Sequence, residues 1–233
     1  MTTEIPQKDR SDLSVGIGFP CGPFIPAETA FSLGRTLYTL AKFNVPVEVH
    51  PIIGSSAVEI ARDAALTKFL EKPQNFLFWI DSDIVWTPTD FLKVLKHASK
   101  RGIACASYPL KRDPPLVIVN MTDGADLSPE GLVEIDSAAL GFCCIRRDVI
   151  EKFADTRERY HHNLNDSWQI EAFGFRPGKD KEGRRTKQGE DVAFFNDLRD
   201  LGYKVYLDAT IQLGHVGVKT YRMPLEEIET PKS

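Results

Sequence analysis

Between residues 13 and 107 the chain alternates short apolar runs with stretches of helical periodicity, and this alternation restricts its possible folds more than any other feature. Leu13 to Phe19 reads as a strand broken by Pro20-Cys-Gly-Pro23, and Ala27 to Phe43 repeats Phe31, Leu33, Leu37, Leu40 and Ala41 at helical spacing. Pro46 to Ile53 is a second strand. Gly54 and Ser55 turn the chain, and Ser56-Ala-Val-Glu59 has the capping-box pattern that predicts a helix to about Leu70. Phe76 to Ile80 is five apolar residues in a row, as in a strand covered on both faces. Thr87-Pro88-Thr-Asp90 supplies an N-cap, a first-turn proline and an acid at N3, predicting a helix to about Ser99 before a fourth strand at Ile103 to Ser107. Such alternation predicts an α/β fold: a parallel sheet with helices on both faces and ligands at the carboxyl ends of the strands. Pro20, Gly54 and Asp81-Ser82-Asp83 fall on that edge.

Beyond Tyr108 the pattern changes. Short strand signals at Val117 to Asn120, Leu132 to Ile135 and Ala138 to Arg146 predict an antiparallel, loop-rich second half. A helix from Arg147 to about Ala154 precedes residues 155–189, which show no core pattern and read as a long functional loop. A helix from Asp191 to Leu201, with Val192, Phe195 and Leu198 on one face, ends at Gly202, and Val205 to Leu207 and Ile211 to Leu213 are the last strand candidates. Residues 1–12 read as a flexible lead-in to one domain over 13–233, with a natural division into halves at 108/109. The 233 residues, 42% hydrophobic, suffice for one large core.

Bulk charge decides little: a net −4 does not mark a nucleic-acid binder. Cys21, Cys105, Cys143 and Cys144 lack C-x-x-C spacing and read as reduced thiols. No run approaches the roughly 20 apolar residues that span a bilayer, and the polar N-terminus has no signal core, so a soluble cytoplasmic protein is expected.

Three segments carry the chemistry. Asp81-Ser-Asp83 ends the apolar strand; two carboxylates so close repel unless a cation or protons neutralise them, and hard cations take oxygen ligands. Solvated loop capping is the alternative. Glu190 and Asp191 open a helix, where acids are favourable in any case, but a carboxylate under a flap can take a proton from an attacking hydroxyl. His215 lies in Leu213-Gly-His-Val-Gly217; alone it is more often structural, yet imidazole is a common ligand for the cation that an Asp-x-Asp implies. Arg62 reads either as a surface ion pair or as a guanidinium that orders the Asp-x-Asp loop or a diphosphate. His161 and His162 read as surface residues.

Taken in order, the Ser55-Ser56...Ala61-Arg62 helix, Trp-Ile-Asp81-Ser-Asp83, Ala139-Leu-Gly-Phe142, Gly189-Glu-Asp191 and Leu213-Gly-His215-Val216 resemble the nucleotide-sugar glycosyltransferases of the GT-A fold, most of all small family-2-like bacteriophage enzymes. The resemblance implies a Rossmann-like mixed sheet and a nucleoside-diphosphate sugar donor, a UDP-sugar first. Residues 13–108 would bind the donor, with Pro20, Arg62, Asp81 and Ser82 in contact, and residues 109–233 would bind the acceptor. It implies Mn²⁺ or Mg²⁺ held by Asp83 and His215 with Asp81 beside them, Asp191 as general base, and Glu190 against acceptor or donor sugar. A phage enzyme would work in the host cytoplasm. Asp63 departs from the Asn that relatives often carry after the Arg, and Gly-His-Val also resembles retaining enzymes, so stereochemistry stays open.

Two other readings remain. Haloacid-dehalogenase phosphatases also place Asp-x-Asp after an apolar strand, but on their first strand, and they leave His215 without a role; a non-catalytic sugar- or nucleotide-binding module is the other. For the acceptor, Arg157, Arg159, Arg176, Lys179, Lys181, Arg184, Arg185 and Lys187 interleave with Tyr160, Trp168, Phe173 and Phe175, which suits an anionic, stackable partner. A hydroxymethylpyrimidine in DNA is the leading expectation, ahead of a glycan or protein.

Overall fold

The structure is a computed structural model that describes residues 13–55, 57–163, 166–179 and 182–218. The lead-in (1–12), Ser56 of the capping box and Lys181 of the basic segment lie outside the described residues. The first half holds β1 (Val15–Cys21), α1 (Ala27–Lys42), β2 (Val47–Ile53), α2 (Val58–Leu70), β3 (Phe76–Ile80), β4 (Ile84–Val85), α3 (Pro88–Arg101) and β5 (Ile103–Cys105). Then come β6 (Val119–Met121), β7 (Leu132–Ala138), β8 (Phe142–Arg146) and α4 (Arg147–Ala154). The remainder is β9 (Arg159–His162), β10 (Ser167–Ile170), β11 (Arg176–Lys179), β12 (Arg185–Gln188), α5 (Glu190–Asp200), β13 (Val205–Asp208) and β14 (Gly214–His215).

Eight strands form one mixed sheet in the order β2-β1-β3-β8-β5-β13-β7-β6. The expected run of parallel strands holds for β2, β1 and β3 and is interrupted next to them, because β8 inserts antiparallel between β3 and β5. The β3 side chains alternate between two cores: Phe76, Phe78 and Ile80 join α1 and α3, while Leu77 and Trp79 join α2, α4 and α5. All five are buried, which is why the strand reads as an unbroken apolar run. Pro20 is tolerated inside β1 because β3 pairs no further than Gly18, leaving only β2 alongside.

Caps explain two helix starts differently. Thr87 and Asp90 form the reciprocal capping box, with Pro88 at the first position of α3. At α2 the N-cap falls on Ala57, which makes no side-chain cap, so the box expected from Ser56 and Glu59 does not open that helix. The buried stripe of α1 is Thr29, Ser32, Thr36 and Leu40 rather than one that includes Phe31, which is 67% exposed. That polar stripe has a job: Ser32 Oγ accepts from the Trp86 amide and Thr36 Oγ1 from its indole N–H, at 3.2 and 2.9 Å.

Residues 155–189 are not one irregular loop. They form two antiparallel hairpins, β9–β10 and β11–β12, joined by a segment whose Ile170, Ala172 and Phe173 are buried in the core under α2 and α5. The strand expected at Ile211 to Leu213 does not form; Gly214–His215 pairs with Ile84–Val85 instead. The four cysteines are free, three of them buried and Cys21 half-buried.

Candidate functional site

The site is assembled at the carboxyl end of β3. Asp81 N–H donates to Gly141 O at 3.0 Å, and Ile84 N–H returns to Asp81 O, so residues 81–84 make a tight turn into β4. Val216 N–H donates to Asp83 O at 2.8 Å, and the β4–β14 ribbon sets His215 opposite Ile84. Two residues 132 positions apart are thereby neighbours: His215 Nε2 lies 3.4 Å from Asp83 Oδ1.

The carbonyl of Pro109 lies 2.8 Å from His215 Nδ1 and takes its proton, which leaves Nε2 with a lone pair aimed at Asp83 when the ring is neutral. Two lone-pair donors face to face repel, and a spacing near 3 Å is what a cation with bonds of about 2.1 Å at right angles requires. The donor set of one carboxylate oxygen and one imidazole suits Mn²⁺ or Mg²⁺ whose other positions are filled by water or phosphate oxygens. No cluster of three or more His, Cys, Asp or Glu that could hold a metal exists among the described residues. Asp81 is the reason: its oxygens are engaged by Arg62 Nη2 at 3.1 Å and by the Tyr108 hydroxyl at 2.9 Å. Of the residues expected at the metal, Asp83 and His215 are brought together, while Asp81 turns to protein donors.

Arg62 joins the two acidic segments. It is buried on α2, donating to Asp81 and, at 2.6 Å, to Glu190 Oε1 at the start of α5. Burial works against its charge, and the carboxylates of Asp81 and Glu190 more than compensate, holding its pKa above the ordinary arginine value. The surface-pair reading of Arg62 is thus replaced by a buried bridge from the Asp-x-Asp turn to the helix end that carries Asp191. Burial, and then the neighbouring Glu190 charge, raises the Asp191 pKa, against a 2.7 Å bond from its own helix's Val192 N–H. Pro20 and Ser82 line a cleft of about 250 Å³ with Ile52, Ser55, Val58 and Ala61, at the ends of β1 and β2.

Four contributors were not read from the sequence. Tyr108 donates to Asp81, accepts from Gly141 N–H at 3.2 Å and packs edge-on against His215 at 5.0 Å. Gly141 is required there, since a Cβ would sit 2.2 Å from Asp81 Oδ2. Lys111 Nζ lies 2.5 Å from Asp83 Oδ2. Asp63, next to Arg62, points away from the strand ends and fastens the hairpin segment: its Oδ1 accepts from Ala172 and Phe173 N–H, both at 2.9 Å, and its Oδ2 from Tyr160. Their common signal is position, a polar residue one or two steps past a strand end or beside Arg62. His161 is exposed and His162 half-buried on β9, away from this cluster of contacts.

No protein-family profile matches the chain, and no curated protein matches it in sequence. Solved structures do match in three dimensions. A197 from STIV aligns with a TM-score of 0.53 at 22% identity, over 88% of this chain and 86% of that one. GalNAc-T7, solved with UDP, GalNAc and Mn²⁺, aligns with a TM-score of 0.55 at 9% identity, over 87% of this chain. The fold is GT-A. The alignment takes in 43% of the GalNAc-T7 chain, and at these identities the likeness establishes fold alone. No helix among the described residues is long and apolar enough to cross a membrane.

Proposed function

We propose that the chain is a metal-dependent glycosyltransferase that moves a sugar from a nucleoside-diphosphate sugar, a UDP-sugar first, to an acceptor hydroxyl. The observation that carries this reading is the Arg62 bridge, which ties the Asp-x-Asp turn to the helix end bearing Glu190 and Asp191. A bound Mn²⁺ or Mg²⁺ would neutralise the diphosphate as it leaves. Asp83 and His215 would hold that ion, and Pro20 and Ser82 would line the nucleoside cleft. Asp191, more basic than an ordinary carboxylate, accepts the proton of the acceptor hydroxyl while the acceptor oxygen bonds to the sugar's anomeric carbon and the diphosphate departs. Glu190, held by Arg62, faces the sugar. The haloacid-dehalogenase alternative loses its support because Asp81 follows the third strand of a GT-A sheet.

A thermal-shift screen of nucleotide sugars with and without Mn²⁺ tests the reading. A donor at about a hundred times its Kd stabilises by about 2.7 kcal/mol, or roughly 5–10 °C for a chain of this size, and the shift should need the metal. No shift from any nucleotide sugar refutes the proposal; a shift without donor hydrolysis or transfer favours a non-catalytic binding module.

For the acceptor we propose a hydroxymethylpyrimidine in DNA. The support is the exposed Arg159, Lys179, Arg184, Arg185 and Lys187 with exposed Trp168 and Phe175 on the two hairpins. Arg157 and Arg176 do not contribute to that face, because both pair with the buried Asp197 on α5. Neutralising Arg184, Arg185 and Lys187 together should weaken DNA binding and flatten its salt dependence with donor hydrolysis intact. A native protein without salt-dependent DNA affinity excludes DNA and leaves a glycan or protein acceptor.

A further inference from the structure

The segment that follows β5 touches every residue of the expected metal centre. Tyr108 holds Asp81, Pro109 O holds His215 Nδ1, and Lys111 Nζ sits on Asp83. The segment is itself closed: Leu110 N–H donates to Leu116 O at 2.8 Å, and Pro109 bridges Val117. The Lys111 stem lies across Gly217, where a Cβ would come within 3.2 Å of its Cδ, so its direction is set by packing as well as by charge.

Lys111 and His215 flank one carboxylate, with Nζ on Oδ2 and Nε2 facing Oδ1. An ammonium at ion-pair distance from Asp83 and a divalent cation on the same carboxylate repel each other. Lysine, with three donors on a flexible stem, binds phosphate as a point charge, and the nearest new negative charge once a cation arrives is the diphosphate that accompanies it.

We propose that Lys111 is a diphosphate-binding residue that neutralises Asp83 until metal and nucleotide bind, then moves from the carboxylate to a phosphate oxygen. The proposal deepens the glycosyltransferase reading and rests on it. Its consequence is ordered loading: metal alone competes with Lys111, whereas metal with nucleotide gives the ammonium a second partner.

Titrating Mn²⁺ against Lys111→Met, with free ion read by electron paramagnetic resonance, tests the first half. Calorimetry with Mn²⁺ and whichever of UDP, GDP, ADP, CDP or dTDP binds the native protein tightest tests the second. Methionine keeps the stem over Gly217 and removes the charge; Lys111→Gln is the backup, and Lys111→Arg should restore nucleotide binding. Because the Lys111–Asp83 pair is part-exposed, Mn²⁺ alone should bind the Met variant only about two- to five-fold tighter. Loss of one charge-assisted phosphate contact should weaken Mn²⁺-nucleotide about ten-fold. Opposite movements of the two constants support the proposal; movement in the same direction, or none, overturns it while leaving the glycosyltransferase reading in place. If the native protein binds none of the five diphosphates with Mn²⁺, that reading fails and the proposal with it.

Discussion

Replacing Asp63 by Asn or by Ala separates the acceptor role of its carboxyl from its charge. The side chain is 3% exposed, and burial pushes its pKa up to about 7 even though two backbone N–H groups and the Tyr160 hydroxyl pull the other way. Alanine would orphan the Ala172 and Phe173 amides, each a loss of about 1–3 kcal/mol; some is recovered because no carboxylate is buried, so a net loss of about 2–4 kcal/mol is expected. For a chain of this size that lowers Tm by roughly 5–15 °C. Asparagine keeps an oxygen for both amides. Its Nδ2 can donate to Tyr160, whose single proton then goes to Gln169 Oε1 at 2.9 Å rather than being contested by Asp63 Oδ2. Asparagine should therefore be nearly neutral at about pH 7, within roughly 1 kcal/mol of the native protein.

The pH dependence has a definite sign. The folded pKa lies above the unfolded 3.8, so the protonated form's stabilisation is complete below that value and is lost as pH rises through about 7. Urea unfolding from about pH 4 to pH 8 should show the Asn variant gaining on the native protein as pH rises. An Asn variant as damaged as the Ala variant at the upper end would mean that the charge, not the acceptor atoms, holds the hairpin segment. A flat difference across the range would refute the raised pKa.

Asp191→Asn should leave nucleotide binding intact and slow transfer by roughly two or more orders of magnitude in a discontinuous product assay; in the native enzyme the acid limb of the pH–rate profile should lie above the ordinary carboxylate range, rate rising as Asp191 deprotonates, because burial and Glu190 raise its pKa. Gly141→Ala should push Asp81 off Tyr108, since the added Cβ would lie 2.2 Å from Asp81 Oδ2, and calorimetry should show weakened donor binding while circular dichroism stays native. His215→Ala and Asp83→Asn should each abolish the Mn²⁺ dependence of nucleotide binding, and the double variant should be no worse than either, because both act through one ion.

The parts of this fold that show in the sequence are those set by local rules. Phe76 to Ile80 reads as a doubly covered strand because five apolar side chains alternate between two cores, and Thr87 to Asp90 reads as a helix start because its cap is complete within four residues. The Asp-x-Asp is legible for the same reason, as charge directly after an apolar strand. The partner of His215 is not, since it depends on a two-residue ribbon joining Gly214 to Val85. Arg62 was misjudged as a surface residue because little in one helix foretells that two carboxylates from distant segments will bury it. The buried Ile170, Ala172 and Phe173 escaped notice because polar hairpins flank them, so no periodic run accumulates.

The antiparallel insertion of β8 between β3 and β5 also bears on how the chain is made. As β3 leaves the ribosome, its free side has no partner until Arg146 has been added, 66 residues after Ile80 (146 − 80). At about 5–20 residues per second, the most apolar strand of the sheet stays open on one edge for several seconds, the condition under which strands find the wrong partner. The Asp-x-Asp turn gets its Gly141 carbonyl only at the end of that wait. The donor-binding half therefore cannot mature as a nascent fragment, and the site's geometry is completed by the last strands to be synthesised.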